Sequence, residues 1–188
     1  MSRPASNLRL FVAVYPPGEV SAALLEALAR VPGMPVHAPT RAEQVHLTLQ
    51  FIGDTPSRDM PEVEESVRRS ASGIGALTLR PTRLIVLPER GPARLIAAAT
   101  DSPPAMLELQ RRLAHRLAKN ARERPGERFT PHLTLARFTT PVAWRAEADL
   151  PGPSFVAREI VLVRSTLRAG GAEHREVMRV ALETERGS

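Results

Sequence analysis

The chain contains no cysteine, and Lys119 is the only lysine among its 188 residues. Without cysteine it has no disulfide, no thiolate nucleophile and no thiolate metal site. No apolar run approaches the roughly 18–20 residues that a membrane-spanning helix requires. The first seven residues are polar, and Pro16 and Pro17 interrupt the apolar stretch that follows, which is not the pattern of a signal peptide. We therefore expect a cytoplasmic protein without a membrane partner.

The positive charge of the chain is carried almost entirely by arginine. The 26 Lys and Arg residues exceed the 20 Asp and Glu residues, which gives a formal net charge of +6. The planar guanidinium suits phosphate, so a phosphate-bearing or nucleic-acid partner is plausible. A high-GC genome that uses arginine codons explains the composition equally well. Arg122, Arg124 and Arg128 share one loop, where we predict a salt-sensitive contact with RNA.

The order of predicted elements favours an α+β fold. The length suits a single domain spanning residues 1–188, built from two small lobes that share a cleft. Antiparallel connections argue against a doubly wound sheet. Apolar periodicity predicts helices over 19–30, about 58–70 and 105–120, and strands over 8–14, 44–52, 77–87, 93–100, 129–138, 155–166 and 175–183.

Two of the five histidines begin the same four-letter sequence, His-Leu-Thr-Leu, at His46 and His132. Side chains alternate between the two faces of a strand, so each histidine is expected to share a face with a threonine, Thr48 or Thr134. The leucines then face a core. On a regular first strand Gln50 would join His46, and Phe51 would join the leucines.

This pattern suits acid–base chemistry on a phosphodiester. Imidazole, with an ordinary pKa of roughly 6.5, can donate or accept a proton near neutral pH. One histidine can accept a proton from attacking water while the other donates one to the leaving oxygen. Threonine hydroxyls can hydrogen-bond the phosphoryl oxygens, and an arginine can stabilise added negative charge.

The motifs fit less well with a surface feature, a zinc site or a serine nucleophile. A lone His-x-Thr in a strand is more often a half-buried surface feature than a catalyst, but two identical copies reverse that preference. The evidence for a zinc site is weaker, because each strand supplies one histidine without a neighbouring carboxylate or cysteine. The evidence for a serine nucleophile is weaker still, since no G-x-S-x-G motif is present.

Four segments resemble those of a known family: RLFVAVYPP at 9–17, VHLTLQFIG at 45–53, PARLIAAA at 92–99 and FTPHLTLARF at 129–138. They follow each other as in the RNA 2′,3′-cyclic phosphodiesterases, also called 2′-5′ RNA ligases, of the two-histidine phosphoesterase superfamily. The resemblance implies an α+β fold with two pseudo-symmetric lobes around a central cleft. Each lobe would be an antiparallel sheet with helices on its outer side.

The resemblance also implies roles for individual residues. His46 would protonate the leaving 3′-oxygen and His132 would accept a proton from water, with Thr48 and Thr134 holding the phosphate. The family's arginine, five residues beyond the second histidine, corresponds to Arg137, and an aromatic of the first strand that could stack on a base corresponds to Phe11. No metal and no cofactor is implied.

The implied activity is metal-independent hydrolysis of RNA 2′,3′-cyclic phosphate ends, or of cyclic nucleotides, to 2′-phosphomonoesters. Reversible 2′-5′ RNA ligation by the same site is a further expectation, and we expect a monomer. One alternative is another small cyclic phosphodiester as substrate, such as ADP-ribose 1″,2″-cyclic phosphate. A second alternative is an RNA-binding protein that keeps the cleft without useful turnover. His37 and His115 are predicted to lie at the surface, and His174 stands where relatives often show a tyrosine.

Overall fold

The computed structural model describes residues 7–117, 129–146, 148–150, 152–168 and 171–183. These residues form three α-helices and eleven β-strands, so the predicted α+β class is confirmed. The loop that carries Arg122, Arg124 and Arg128 lies outside the described residues. The helices are α1 (Gly18–Ala29), α2 (Met60–Ala71) and α3 (Pro104–Leu117). The strands are β1 (Asn7–Val14), β2 (His37–Pro39), β3 (Leu47–Pro56), β4 (Leu77–Leu79), β5 (Pro81–Leu87), β6 (Ala93–Thr100), β7 (His132–Val142), β8 (Ala148–Asp149), β9 (Phe155–Ala157), β10 (Glu159–Arg168) and β11 (Gly171–Ala181).

Most strands join one antiparallel sheet in the order β11-β10-β1-β3-β7-β6-β5-β8, and β2 adds to β7. β4 and β9 form a separate two-stranded sheet. The two halves of the large sheet meet where Leu47 of β3 pairs with Leu133 of β7. The leucine that follows each motif histidine therefore lies at the centre of the sheet. The pseudo-symmetry of the two complete lobes and the single-domain organisation stay predictions.

The three helices cover one face of the sheet. An apolar stripe of α3, from Met106 through Leu109 and Leu113 to Leu117, is buried in the same core as Leu24 of α1. These side chains recur at helical spacing, so one face of each helix can pack on the strands. The opposite face of the sheet carries a smaller apolar cluster: Phe11, Ala13, Val161 and Val163, with Tyr15 and Phe51 packed against it.

The strand ends differ from the prediction around both motifs. β3 begins at Leu47, three residues after the predicted start at Gln44, because Gln44 ends a short 3-10 helix, Ala42–Gln44. Two short strands, β2 and β8, were not predicted. They have three and two residues, which is too short for an alternation of apolar and polar residues to be recognised. His37, predicted to be solvated, starts β2 opposite Phe138. His115 lies exposed on α3, as expected.

A bulge in β3 changes the direction of the side chains after Thr48. Ala13 of β1 is opposite Thr48 and Val12 is opposite Gln50, so the pairing skips Leu49. A skipped residue shifts the alternation of the strand by one. Gln50 is consequently buried on the helix side, opposite core residue Val12.

Phe51 turns instead to the face that carries His46, opposite Phe11 and within the smaller apolar cluster. The predicted directions of Gln50 and Phe51 are therefore both wrong. The reason is the bulge, because the prediction assumed an unbroken alternation along the strand.

β7 carries a bulge at the equivalent position of the second motif. Ala97 of β6 is opposite Thr134 and Ile96 is opposite Ala136, so the pairing skips Leu135. Leu135 and Ala136 are both completely buried. The shift brings the next residue of β7 to the face that carries the second motif histidine.

Candidate active site

The Leu47–Leu133 pair brings the two motifs side by side in antiparallel register. One residue to either side of this pair, His46 lies towards Thr134 and Thr48 lies towards His132. All four polar side chains are partly exposed, whereas Leu47 and Leu133 are completely buried on the helix side. The four residues predicted from the motifs thus share one patch on the open face of the sheet.

Each motif histidine is held by the backbone two residues before it. His46 Nδ1 donates to the carbonyl of Gln44 at 2.6 Å, and His132 Nδ1 donates to the carbonyl of Thr130 at 2.7 Å. A carbonyl oxygen can only accept, so the proton of each neutral ring is on Nδ1. The Nε2 atom of each ring is therefore the one available for proton exchange with a substrate.

The ring of His46 lies among other rings. Phe11 stacks on it with 5.0 Å between centroids and 29° between planes, and Tyr15 is 5.5 Å away. His174 of β11 meets it edge-on at 5.2 Å. Phe11 is only 4% exposed, so its ring supports the histidines. A contact between Phe11 and a substrate base stays a prediction.

Burial disfavours the charged form of both motif histidines. It is the main cause that lowers the pKa of His46 from 6.5 to about 4, and repulsion by His174, Arg137 and His132 acts in the same direction. Burial, followed by repulsion from Arg137, also lowers the pKa of His132. Both effects favour the neutral imidazole in the absence of an anion.

Arg137 extends from the same face as the histidines, because the bulge in β7 reverses the alternation before it. It is opposite Leu95 and exposed, next to buried Ala136. Its positive charge acts on His46, His132 and His174. A guanidinium in this position can bind a phosphoryl oxygen.

Two further residues of the site, Tyr15 and His174, were not among the predicted site residues. With Gln44, Glu176 and Arg179 they line a groove of about 340 Å³ beside His46. Burial, with Glu176 nearby, raises the pKa of Tyr15 to about 12, so its phenol stays neutral. His174 has no repeated motif around it, and only the pairing of β11 with β10 brings it to His46.

The described residues contain no group of three or more His, Cys, Asp or Glu side chains that could hold a metal ion. Among the helices in the described part of the chain, none has the length and hydrophobicity of a membrane span. The absence of a metal or cofactor requirement, the cytoplasmic location and the monomeric state stay predictions.

Comparison with known proteins identifies the family. The sequence model of the 2′-5′ RNA ligase superfamily matches residues 12–168. The chain is 31% identical to an RNA 2′,3′-cyclic phosphodiesterase of Thermus thermophilus, over 96% of this chain and 93% of the relative. The chain belongs to the 2′-5′ RNA ligase superfamily. The family resemblance found in the motifs is thereby confirmed.

Further relatives and solved structures are similar to this chain. An RNA 2′,3′-cyclic phosphodiesterase of Methanothermobacter thermautotrophicus is 28% identical over 69% of this chain and 73% of its own length. The crystal structure of TT0787 of Thermus thermophilus superposes with a TM-score of 0.82 over 95% of this chain and 100% of its own, and the two sequences are 29% identical. E. coli LigT complexed with 3′-AMP, at 22% identity and a TM-score of 0.77 over 94% of this chain and 98% of its own, shows the same fold.

Proposed function

We propose that this protein hydrolyses RNA 2′,3′-cyclic phosphate ends, or 2′,3′-cyclic nucleotides, to 2′-phosphomonoesters without a metal ion. The observation that carries the proposal is the side-by-side placement of two His-x-Thr motifs whose imidazoles both have Nδ1 tied to a carbonyl. The names of the related enzymes support the substrate class. Reversible 2′-5′ ligation is a second reaction of the same site in this proposal.

The proposed reaction divides the two proton transfers between the two rings. Nε2 of neutral His132 accepts a proton from water as the water oxygen bonds to phosphorus. The bond between phosphorus and the 3′-oxygen then breaks, and the 3′-oxygen takes a proton from Nε2 of protonated His46. The phosphate remains on the 2′-oxygen, and exchange of protons with solvent restores both rings.

The substrate itself supplies the charge that His46 needs. In the ligand-free site the pKa of His46 lies near 4, so the ring is neutral at neutral pH. A phosphodiester carries one negative charge, and an anion beside an imidazole raises the pKa of that ring. Binding of the cyclic phosphate thus favours the protonated donor at the moment when the donor is required.

Thr48, Thr134 and Arg137 surround the position of the phosphate in this mechanism. The two hydroxyls can donate to non-bridging oxygens, which fixes the phosphate between the imidazoles. Arg137 offsets the negative charge that grows on these oxygens when water attacks. The proposal gives all three residues a larger effect on turnover than on folding.

The decisive experiment incubates the protein with 2′,3′-cyclic nucleotides in EDTA and separates the 2′- and 3′-monophosphates. We expect turnover in EDTA and a 2′-monophosphate product. A His132→Ala protein prepared in the same way serves as the control for contaminating nucleases.

Four results would correct the proposal in different ways. Loss of activity in EDTA contradicts the metal-free mechanism, and a 3′-monophosphate contradicts the assigned leaving group. Binding of RNA without any product supports the alternative of an RNA-binding protein. Turnover of ADP-ribose 1″,2″-cyclic phosphate in place of the nucleotides supports the alternative substrate.

A further inference from the structure

A third imidazole contacts the site. The ring of His174 on β11 meets His46 edge-on, with 5.2 Å between centroids and 77° between planes. It also meets Phe11 edge-on at 5.1 Å, so it touches both rings of the stacked pair. Nδ1 of His174 is buried and has no hydrogen-bond partner within the part of the chain that the structure describes. The proposed mechanism does not use this side chain.

A second link connects β11 to the same histidine. The side-chain amide of Gln44 donates to the carbonyl of Ala172 at 3.1 Å, two residues before His174. The carbonyl of Gln44 in turn accepts the Nδ1 proton of His46. β11 therefore reaches His46 twice, through the ring of His174 and through the residue that fixes the tautomer of His46.

The charged and titratable groups around these two imidazoles come from several elements. β7 contributes His132 and Arg137, whose charges oppose protonation. Tyr15, after β1, stays neutral, and Glu176 of β11 lines the adjoining groove with Glu43, Glu159 of β10 and Arg179. Glu176 is itself paired with Arg179 at 2.6 Å. Among the charges that oppose protonation of His46, that of His174 has the largest effect, and the two rings meet edge-on.

We propose that His174 is a positioning residue, which holds the ring of His46 against Phe11 and makes the protonation of His46 depend on its own charge. Two imidazolium ions in contact repel each other, so a protonated His174 lowers the pKa of His46. The consequence for catalysis rests on the proposed function, whereas the contact and the charge coupling can be measured without substrate.

The first experiment is an NMR titration of the His46 ring nitrogens in the ligand-free protein. His174→Gln and His174→Phe both remove the titrating charge, and two chemically different variants guard against one that does not fold. We expect each to raise the pKa of His46 by roughly one pH unit. His115→Phe, on an exposed part of α3, is the matched control and leaves this pKa unchanged.

The second experiment compares the pH profiles of hydrolysis. We expect the alkaline limb of kcat/KM, which the coupled His46–His132 pair sets, to move to higher pH in His174→Gln and His174→Phe, and to stay in place in His115→Phe. His174→Ala also removes the ring contact, so its maximal turnover is expected to fall below that of His174→Phe.

These measurements separate the failure of one proposal from the failure of the other. A shifted His46 pKa in a protein that turns over no cyclic nucleotide supports the coupling and contradicts the proposed function. An active protein whose folded His174 variants leave both the His46 pKa and the pH profile unchanged contradicts the role of His174.

Discussion

At the scale of the residue, the surroundings of His46 and His132 conflict with their proposed task until a substrate arrives. Both rings are largely removed from water, which favours the neutral form, and Arg137 adds repulsion. A donor and an acceptor together need one proton between them. Because the rings act as a coupled pair, the pH dependence belongs to the pair and not to either residue.

The direction of these pKa shifts predicts the pH profile of kcat/KM, which reports the free enzyme. Both pKa values are lowered from 6.5. Above that pH both rings are therefore neutral, and the form with one proton becomes scarcer as the pH rises. We expect kcat/KM to reach its maximum below pH 6.5 and to fall towards alkaline pH. Profiles measured with 2′,3′-cyclic AMP test this, because its phosphodiester does not titrate in that range.

The profile of kcat should differ, since it reports the enzyme with substrate bound. The bound anion raises the pKa of the adjacent imidazoles, so the alkaline limb of kcat should lie at higher pH than that of kcat/KM. A kcat/KM that is constant between pH 6.5 and 8.5 would contradict the burial of the pair as the source of the pH dependence.

At the scale of the element, two bulges decide which side chains reach the site. Leu49 in β3 and Leu135 in β7 are each the third residue after a motif histidine, and each is skipped in the pairing. The fifth residue after each histidine then faces the site. In β7 this residue is Arg137, and in β3 it is Phe51, whose ring lies 5.0 Å from the guanidinium carbon of Arg9.

With the bulge in β7, Ala136 faces the core and Arg137 faces the site, whereas a regular strand would give the opposite directions. Ala136 is completely buried on the helix side, whereas Arg137 is exposed. Ala136→Asp should therefore lower the free energy of unfolding by more than about 2 kcal/mol, because it buries an unpaired carboxylate. Arg137→Asp should change it by about 0.5 kcal/mol or less, yet lower turnover by roughly 10²-fold.

Urea unfolding of the two aspartate variants, measured beside the parent protein, makes the comparison. The same residue type is introduced at neighbouring positions of β7, so the strand propensity of the introduced residue is the same in both variants. The difference between their free energies of unfolding then reports the direction of the side chain. An Ala136→Asp protein as stable as the parent would show that β7 alternates regularly and that Arg137 points into the core.

The sequence predicts those features of the site that depend on neighbouring residues, and it misses those that depend on contacts between distant parts of the chain. The helices of the core and the two histidine strands follow from local apolar periodicity, since Met106, Leu109, Leu113 and Leu117 recur at helical spacing and are all buried. A bulge inserts one residue without a distinctive sequence, so the directions of Gln50 and Phe51 are missed. His174 reaches His46 through pairing between distant parts of the chain, which no local pattern reports.

At the scale of the whole molecule, the site lies at the seam of a single large sheet. β3 and β7 belong to its two halves, and the Leu47–Leu133 pair joins them at the motifs. Each half contributes one motif histidine, one motif threonine and a bulge at the same distance from that histidine. Neither half holds both proton-transfer groups, so the proposed chemistry depends on the assembled sheet.

The net charge of the molecule is consistent with a polyanionic substrate. The formal charge is +6, carried almost entirely by arginine. Charge of this sign attracts RNA without regard to sequence and speeds its approach. It does not select a cyclic phosphate end, which only the paired motifs can recognise by the chemistry proposed for them.

The most direct test of the central claim is the turnover of a 2′,3′-cyclic nucleotide at saturating concentration by His46→Ala, His132→Ala and the double variant. Thermal unfolding establishes that each variant is folded. Each single replacement should lower turnover by about 10²–10⁴-fold. The double replacement should cost much less than the product of the two single losses, because the rings act as a unit. A folded His132→Ala protein with undiminished turnover would contradict the paired-histidine mechanism.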